Sequence, residues 1–238
     1  HYNFANISSF SERVVVKANQ AIPIPEAVPM PAASLIGCGV LTGSGAVFNR
    51  AKVAPGESVA VVGVGGIGLN VIQAAAISGA NPIIAVDTNA DKEDLAHTFG
   101  ATHFVNAAEV DTNAAIREVR PFGADYVFEC VGAKALIEAA LGYLDWGGTL
   151  VILGVPPLGS TMEFMTMAAY LDVTIMGCRY GTSRPQTDVA RICDLYLAGR
   201  FKLDELVSRV YPMDEIHTVL DDMHHGRLAR GVLEVCPG

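Results

Sequence analysis

Apolar runs of strand length alternate with helix-length segments through the middle of the chain. Because the runs are almost continuously apolar, they fit parallel strands that helices cover on both faces. The runs are SVAVVG (58–63), PIIAVD (82–87), HFVNA (103–107), ADYVFECVG (124–132) and GTLVILG (148–154), and a further strand is predicted at 173–177. Repeated strand–helix–strand units predict an α/β fold, a doubly wound parallel Rossmann sheet of six strands.

Helices are predicted between these strands at 66–78, 91–99, 112–120 and 134–144. Asp91 is a suitable N-cap for the second of them, and Gly100 is a suitable C-terminal stop. Before the first strand, residues 32–52 are small and apolar and include several glycines, which predicts a closely packed helix.

The two ends of the chain have a different pattern. Residues 1–31 are predicted to form short extended pieces, with a β-rich run at 13–16 that is followed by several prolines. Beyond the sheet, helices are predicted at 188–198 and 214–225. A mixed segment at 201–211 joins them, and an apolar strand at 231–235 closes the chain.

Composition narrows the class of protein. The 238 residues are 51% hydrophobic and 17% charged, which is typical of a globular chain. A formal net charge of −9 opposes binding to nucleic acid or to anionic lipid. No stretch reaches the roughly 18 uninterrupted apolar residues of a membrane helix, and the first residues lack a signal-peptide pattern, so a cytoplasmic protein with no membrane partner is expected.

The cysteines do not form a metal-binding or disulfide pattern by themselves. They are scattered without any C-x-x-C pair, which argues against a disulfide framework and against a self-contained zinc knuckle. Their positions are Cys38, Cys130, Cys178, Cys193 and Cys236.

The segment Gly63-Val64-Gly65-Gly66-Ile67-Gly68 follows a predicted strand and opens a predicted helix. In that context the glycine spacing indicates a dinucleotide site. Gly63 permits a tight turn, Gly65 lets the backbone approach a pyrophosphate, and Gly68 lets helix and strand pack closely. The alternative is an ordinary glycine turn between a strand and a helix.

Asp87 ends the second apolar run, about 20 residues after the last glycine of that turn, where a carboxylate can bind both hydroxyls of an adenosine ribose. The same carboxylate would repel a 2′-phosphate. Because Thr88 and Asn89 follow without an arginine, NAD is favoured over NADP. The alternative for Asp87 is a simple cap on the next helix.

Several segments occur in the order found in one protein family. They are Leu35-Ile36-Gly37-Cys38-Gly39 with Thr42-Gly43, the GVGGIG turn, Val86-Asp87, Phe128-Glu129-Cys130-Val131-Gly132 and Gly154-Val155-Pro156-Pro157. The chain resembles the zinc-containing medium-chain alcohol dehydrogenases, above all the group with the glutathione-dependent formaldehyde dehydrogenases. The resemblance extends from about Phe10 to Val235.

The resemblance implies NAD and zinc as cofactors and a small alcohol or aldehyde as substrate. Cys38 matches one of the family's three protein ligands to the catalytic zinc, and Thr42 resembles a residue that approaches the nicotinamide. A thiolate is a soft anionic ligand, and an open position on the metal can polarise an alcohol. On its own chemistry Cys38 would be an ordinary small buried residue.

Further cofactor contacts follow from the same resemblance. Ile67 would pack on the nicotinamide ring, and Lys92 would contact the ribose. Backbone positions would line the adenosine path or hold the carboxamide, and an arginine would bind the pyrophosphate. These positions are Val131 and Gly132 for adenosine, Leu153, Val155, Cys178 and Tyr180 for the carboxamide, and Arg230 for the pyrophosphate. For Lys92 and Arg230 a solvated surface charge is the open alternative.

The chain departs from the family at its start. The family's other zinc-binding cysteine and histidine, its proton relay and its four-cysteine zinc lobe lie in an N-terminal region that this sequence lacks. The expectation is a truncated chain that binds cofactor without completing the zinc site. The predicted domains are a remnant of the GroES-like catalytic domain (1–37), an NAD-binding Rossmann domain (38–178) and a segment returning to the catalytic domain (179–238).

The main expectation is therefore an NAD-dependent oxidoreductase of alcohols or aldehydes that uses zinc-assisted hydride transfer. Two alternatives stay open: a zinc-independent quinone or enoyl reductase, and a noncatalytic NAD(H)-binding module or split subunit. Arg179 and Arg184 are candidates for binding an anionic group. In the family, segments like 162–167 and 173–177 pair between subunits, so a homodimer or homotetramer is expected.

Overall fold

The computed structural model describes residue 7 and residues 9–235; Cys236 lies outside the described residues. The chain divides into two compact units. One is the continuous segment Cys38–Arg184, and the other combines His1–Gly37 with Pro185–Gly238.

The continuous unit contains a parallel sheet with strand order β3-β2-β1-β4-β5-β6. The chain runs from β1 through β2 to β3 at one edge of the sheet. It then returns to the middle and continues from β4 through β5 to β6 at the other edge, as in a doubly wound sheet. The predicted α/β class and the six parallel strands are confirmed. The strands are β1 (Val59–Val62), β2 (Ile83–Asp87), β3 (His103–Asn106), β4 (Ala124–Glu129), β5 (Leu144–Ile152) and β6 (Thr174–Gly177).

Helices connect successive strands and cover the sheet. Ile84, Val127 and Leu150 of three strands are fully buried, and Ile116 and Ile137 pack on the same cluster from the helices. This burial on both faces explains the uninterrupted apolar runs. The connecting helices are α2 (Gly66–Ser78), α3 (Glu93–Phe99), α4 (Thr112–Val119), α5 (Lys134–Ala140) and α6 (Thr166–Tyr170). A further helix, α1 (Met30–Ala51), precedes β1, and its residues up to Gly37 are assigned to the discontinuous unit.

Helix α1 contains two wider π-type stretches, Ile36–Val40 and Ala46–Ala51. It ends at Lys52, which adopts a left-handed conformation with φ 57°. Among the described helices, α1 alone has the length and apolar composition of a membrane span. Most of it is buried in the protein, and the core helix of a globular chain meets the same criterion.

Several helix boundaries differ from the sequence prediction, and two of the differences have a clear structural cause. Asp91 does not cap a helix, because the side chain of Asn89 accepts its N–H at 3.0 Å and caps a short 3₁₀ turn, Ala90–Lys92, that precedes α3. The helix predicted over 134–144 ends at Ala140. A 3₁₀ turn follows, and Leu144 already belongs to β5. Gly100, with φ 111°, does end α3 as predicted.

Strand boundaries also differ. The strand predicted over 124–132 ends at Glu129, since the Glu129 carboxyl accepts the N–H groups of the turn that follows. The strand predicted over 148–154 begins earlier, because Leu144 pairs with Ala124 across an irregularity in register. The β-rich run at 13–16 belongs to no strand in the described part of the chain.

The discontinuous unit contains α7 (Pro185–Leu197), β7 (Val207–Pro212), α8 (Ile216–His224) and β8 (Arg230–Glu234). Strands β7 and β8 form a parallel pair, whereas the sequence predicts only a mixed segment in the region of β7. Tyr211 of β7 is buried, and its hydroxyl donates to Asp222 at 2.7 Å, which ties the pair to α8.

Candidate cofactor-binding site

The glycine turn, residues 63–68, joins the end of β1 to the start of α2. Gly63 has φ 95° and donates its N–H to Val86 at 2.8 Å. At Gly68 an added Cβ would lie 1.9 Å from the Gly63 carbonyl oxygen, so only glycine lets helix and strand approach this closely. At Gly65 an added Cβ would meet nothing within 4 Å. The turn is therefore closed beneath Gly68 and open in front of Gly65.

Asp87 lies at the end of β2, beside this turn. Its Oδ2 accepts the Val64 N–H at 2.8 Å and pairs with Lys92 Nζ at 2.9 Å, while Oδ1 accepts the Asn89 N–H at 3.0 Å. The carboxylate is fixed by these contacts and its side chain is only 9% exposed, so it is a rigid acceptor beside the glycine turn with little surface open to solvent.

Residues 130–132, which we call the β4 turn, follow the next strand of the sheet. Gly132 has φ 87°, and an added Cβ would lie 2.6 Å from the Val155 carbonyl oxygen. On the other side, a Cβ at Gly63 would lie 2.6 Å from Val131 Cγ2. The β4 turn is thus enclosed between the glycine turn and the loop after β5, and the Val131 side chain is half exposed.

The ends of β5 and β6 continue this edge. Leu153 donates its N–H to the Glu129 carbonyl at 2.8 Å, and Cys178 donates its N–H to Ile152 at 2.9 Å. Leu153 and Cys178 are buried, whereas the apolar side chain of Val155 is almost fully exposed. Burial raises the pKa of the Cys178 thiol, so it stays neutral.

Thr42 is buried on α1, in a stretch of small residues that lets neighbouring backbone come close. A Cβ at Gly43 would lie 2.5 Å from the Ile67 carbonyl, and one at Gly45 would collide with the Gly181 carbonyl. Helix α1 therefore packs against α2 on one side and against the segment after β6 on the other. Thr42, Ile67 and Tyr180 are brought to one region in this way.

The segment after β6 has an uncommon backbone. Tyr180, Gly181 and Thr182 have φ of 55°, 64° and 50°, which makes one left-handed turn. Such a conformation costs non-glycine residues about 1–2 kcal/mol each. The Ser183 hydroxyl donates to the Leu41 carbonyl at 3.0 Å and fixes the turn on α1. Burial and the neighbouring Cys38 raise the pKa of Tyr180.

Cys38 is exposed on α1 and near Tyr180. Catalytic zinc needs three protein ligands. Within residue 7 and residues 9–235, no three His, Cys, Asp or Glu side chains lie together as a metal ion would require. The described residues therefore do not by themselves fit a zinc site around Cys38.

The three arginines of interest lie in different places. Arg179 and Arg184 are exposed and flank the left-handed turn, in the same unit as the sheet. Arg230 is the first residue of β8 and belongs to the discontinuous unit, so its predicted contact with a pyrophosphate stays a prediction.

One residue of this edge is not singled out by the sequence. Glu129 is fully buried at the end of β4, and its side chain accepts two N–H groups of the β4 turn. The sequence nevertheless contains a feature that could have identified Glu129, because it is a charged residue near the end of the apolar run ADYVFECVG, close to a glycine.

The predicted cofactor residues of the continuous unit thus share one edge of the sheet. They follow β1, β2, β4, β5 and β6 at the carboxyl ends of the strands, around the point between β1 and β4 where strand order reverses. Ligands of doubly wound sheets bind there. The open space at Gly65 and the exposed apolar side chains of Val131 and Val155 fit an extended ligand with both phosphate and ring surfaces.

Comparisons with known proteins agree with this architecture. A family model described as zinc-binding dehydrogenase matches residues 66–196, more than half of the chain. The probable S-(hydroxymethyl)glutathione dehydrogenase 1 of Schizosaccharomyces pombe is 36% identical over 98% of this chain and 62% of its own length. The class-3 alcohol dehydrogenase of Cereibacter sphaeroides is 37% identical over 97% of this chain and 62% of its own length.

A solved structure adds the fold. Benzyl alcohol dehydrogenase from Acinetobacter calcoaceticus superimposes with a TM-score of 0.93 at 32% identity, covering 97% of this chain and 64% of that protein. The chain thus spans a little under two thirds of the length of the relatives it matches. The resemblance carried by the motifs is confirmed: this chain belongs to the zinc-binding dehydrogenase family.

Proposed function

We propose that this chain binds NAD(H) at the carboxyl edge of its parallel sheet and supplies the cofactor-binding part of an alcohol or aldehyde oxidoreductase. The proposal rests on the placement of the Asp87 carboxylate. This carboxylate is fixed by hydrogen bonds, keeps a small exposed fraction of 9%, and lies beside a glycine turn that is open in front of Gly65. A dinucleotide has a pyrophosphate and a ribose diol at the matching separation in this type of fold.

Each element of the edge has a part in binding. The N-terminus of α2 presents N–H groups and a partial positive charge to the pyrophosphate, and Gly65 leaves room for its approach. Asp87 accepts both ribose hydroxyls and repels a 2′-phosphate. Val131 and Val155 offer apolar contact to the rings. When bound, the nicotinamide supplies the chemistry of hydride transfer, while the chain orients it and excludes water.

The substrate class rests on the relatives. Those that match are named as S-(hydroxymethyl)glutathione, class-3 alcohol and benzyl alcohol dehydrogenases. A small alcohol or its aldehyde is the substrate that the complete protein would use. Because the described residues hold no metal site, cofactor binding is the activity proposed for this chain itself.

We also propose a homo-oligomer that forms through the β6 edge of the sheet. Strand β6 is the last strand in the sheet order, and Ile175 on it is exposed. Met165, Met167 and Tyr170, which precede β6, are exposed apolar residues as well. A second copy pairing along this edge would cover both the strand and these side chains.

The experiment is a titration of NADH and NADPH into the purified chain, followed by intrinsic and NADH fluorescence, with zinc measured on the same sample. The test variant is Asp87→Asn, which removes the charge but keeps the shape. The control is Asp91→Asn, since Asp91 is an exposed carboxylate four residues further along the chain.

The chain is expected to bind NADH and to discriminate against NADPH. Asp87→Asn should reduce that discrimination by roughly tenfold or more, because placing like charges together costs several kcal/mol. Asp91→Asn should leave the discrimination unchanged. Absence of NADH binding by the folded chain, or equal discrimination in both variants, would refute the proposal.

A further inference from the structure

The carboxyl group of Glu129 lies at the centre of the hydrogen bonds that organise two loops at the carboxyl edge. Its Oε1 accepts the N–H groups of Val131 at 2.9 Å and Gly132 at 2.8 Å. Its backbone carbonyl accepts the N–H groups of Leu153 at 2.8 Å and Gly154 at 2.9 Å. One residue thus holds the start of the β4 turn and the start of the loop after β5.

The β4 turn has little room to move between its neighbours. A Cβ at Gly154 would lie 1.9 Å from the Gly132 nitrogen, so the loop after β5 lies directly against the turn. The Val131 side chain contacts Gly63 closely on the opposite side. Any displacement of the turn therefore changes either the glycine turn or the loop after β5, and with them the shape of the cleft.

The hydrogen bonds of Glu129 also determine which groups face outwards. The N–H groups of Val131 and Gly132 point to the buried carboxyl and are satisfied there. The Val131 side chain is 51% exposed although it is apolar. A backbone that is held by a buried carboxyl and presents an apolar side chain to solvent is suited to contact with a ligand.

Holding the two loops with a buried carboxyl lowers the stability of the chain. Its side chain is fully buried, and Oε2 has no hydrogen-bond partner among the described residues. A buried polar atom without a partner is unfavourable, and such exceptions concentrate where function requires them. Packing alone would be served better by an apolar residue of similar size.

We infer that Glu129 is a positioning residue that fixes the β4 turn against the glycine turn and so shapes the cofactor site. The inference rests on the proposed function, since it assigns the site's purpose to NAD(H). It adds a residue that contacts no ligand itself and acts through the backbone of Val131 and Gly132.

The test compares two substitutions of similar volume. Glu129→Gln keeps an oxygen that can accept both N–H groups, whereas Glu129→Met fills the space without an acceptor. The control is Ser58→Ala at the opposite edge of the sheet. Ser58 is also fully buried and hydrogen-bonded, donating to Asp125 and accepting the Asp125 N–H at 2.9 Å.

The first readout is amide hydrogen exchange at Val131 and Gly132, measured by NMR on the unliganded chain. These amides should be protected in the unsubstituted chain and in Glu129→Gln, and should exchange faster in Glu129→Met while amides of β1 stay protected. The second readout is NADH affinity below the melting temperature. Glu129→Met should weaken binding by about tenfold, because ordering a loosened loop opposes association, and Glu129→Gln should restore most of it.

Each result decides the inference separately from the proposed function. If the Val131 and Gly132 amides of the unsubstituted chain exchange as fast as those of exposed loops, the Glu129 carboxyl does not hold these amides, whatever the results for the variants. If Glu129→Met binds NADH as tightly as the unsubstituted chain, or if Ser58→Ala loses as much affinity, the positioning role is refuted. If no variant binds NADH, the proposed function fails, and the exchange data still decide whether Glu129 holds the turn.

Discussion

The glycine turn offers a matched pair of substitutions with opposite expected effects. Gly65→Ala places a methyl group where nothing lies within 4 Å, on a residue whose φ of −102° suits any amino acid. Gly68→Ala places the same group 1.9 Å from the Gly63 carbonyl oxygen. Only the first methyl would stand in the path of a pyrophosphate.

The magnitudes follow from these distances. At Gly68 the contact must grow from 1.9 Å to at least 3.0 Å, and the obstacle is backbone rather than a movable side chain. Overpacking of this kind costs about 3 kcal/mol. Better helix propensity returns about 1 kcal/mol. The net loss of about 2 kcal/mol corresponds to a fall in Tm of roughly 4–8 °C for a chain of this size. At Gly65 only the loss of a favourable N-cap residue remains, at about 1 kcal/mol or less.

The assay is thermal melting and NADH titration of both variants at one protein concentration. Gly65→Ala should melt within a few degrees of the unsubstituted chain and bind NADH about tenfold or more weakly, since tenfold is only about 1.4 kcal/mol. Gly68→Ala should melt markedly earlier. Unchanged NADH affinity in Gly65→Ala would show that the pyrophosphate does not pass over this residue, and the placement of the cofactor would be wrong.

Three further predictions concern other parts of the chain. Lys52→Gly should raise the free energy of unfolding in urea by about 1 kcal/mol, because Lys52 ends α1 at φ 57°, and Lys52→Ala should bring no such gain. Ile175→Lys should shift the mass measured by light scattering towards the monomer; an unsubstituted chain that is already monomeric would contradict the β6 interface. Burial raises the pKa of Glu129, so its protonated form is favoured in the folded state and its contribution to stability is lost as pH rises through that pKa. As pH rises above the ordinary range of a glutamate carboxyl, the melting temperature of Glu129→Gln should therefore rise relative to that of the unsubstituted chain, and a difference that stays constant with pH would contradict the raised pKa.

Local signals are sufficient where a segment determines its own start and stop. Helix α2 occupies the predicted range because the glycine turn opens it and Gly79, with φ 83°, closes it. The strands β1 and β2 are equally easy to predict from the sequence, since they are buried on both faces and bounded by turns. The candidate site could be predicted for the same reason, because its residues follow directly after these strands.

The errors lie where a distant partner decides the structure. Residues 141–144 continue a helical pattern, and only pairing of Leu144 with Ala124 shows that a strand has begun. Strand β7 is mostly exposed and is recognisable only through its pairing with β8. Glu129 escapes prediction as a site residue because a charge in an apolar run gives no indication of which backbone groups it will bind.

The division of the chain into two units has a consequence for folding during synthesis. The sheet unit is one uninterrupted segment, Cys38–Arg184, whereas the other unit needs residues from both ends of the sequence. During synthesis every strand of the sheet is therefore translated before α7, and domains tend to fold in the order in which they emerge. The residues before Cys38 meet their partners only after the segment from Pro185 onwards has been translated. Nascent chains stalled so that Arg184 has just left the exit tunnel should already resist proteolysis across the sheet while remaining sensitive before α1.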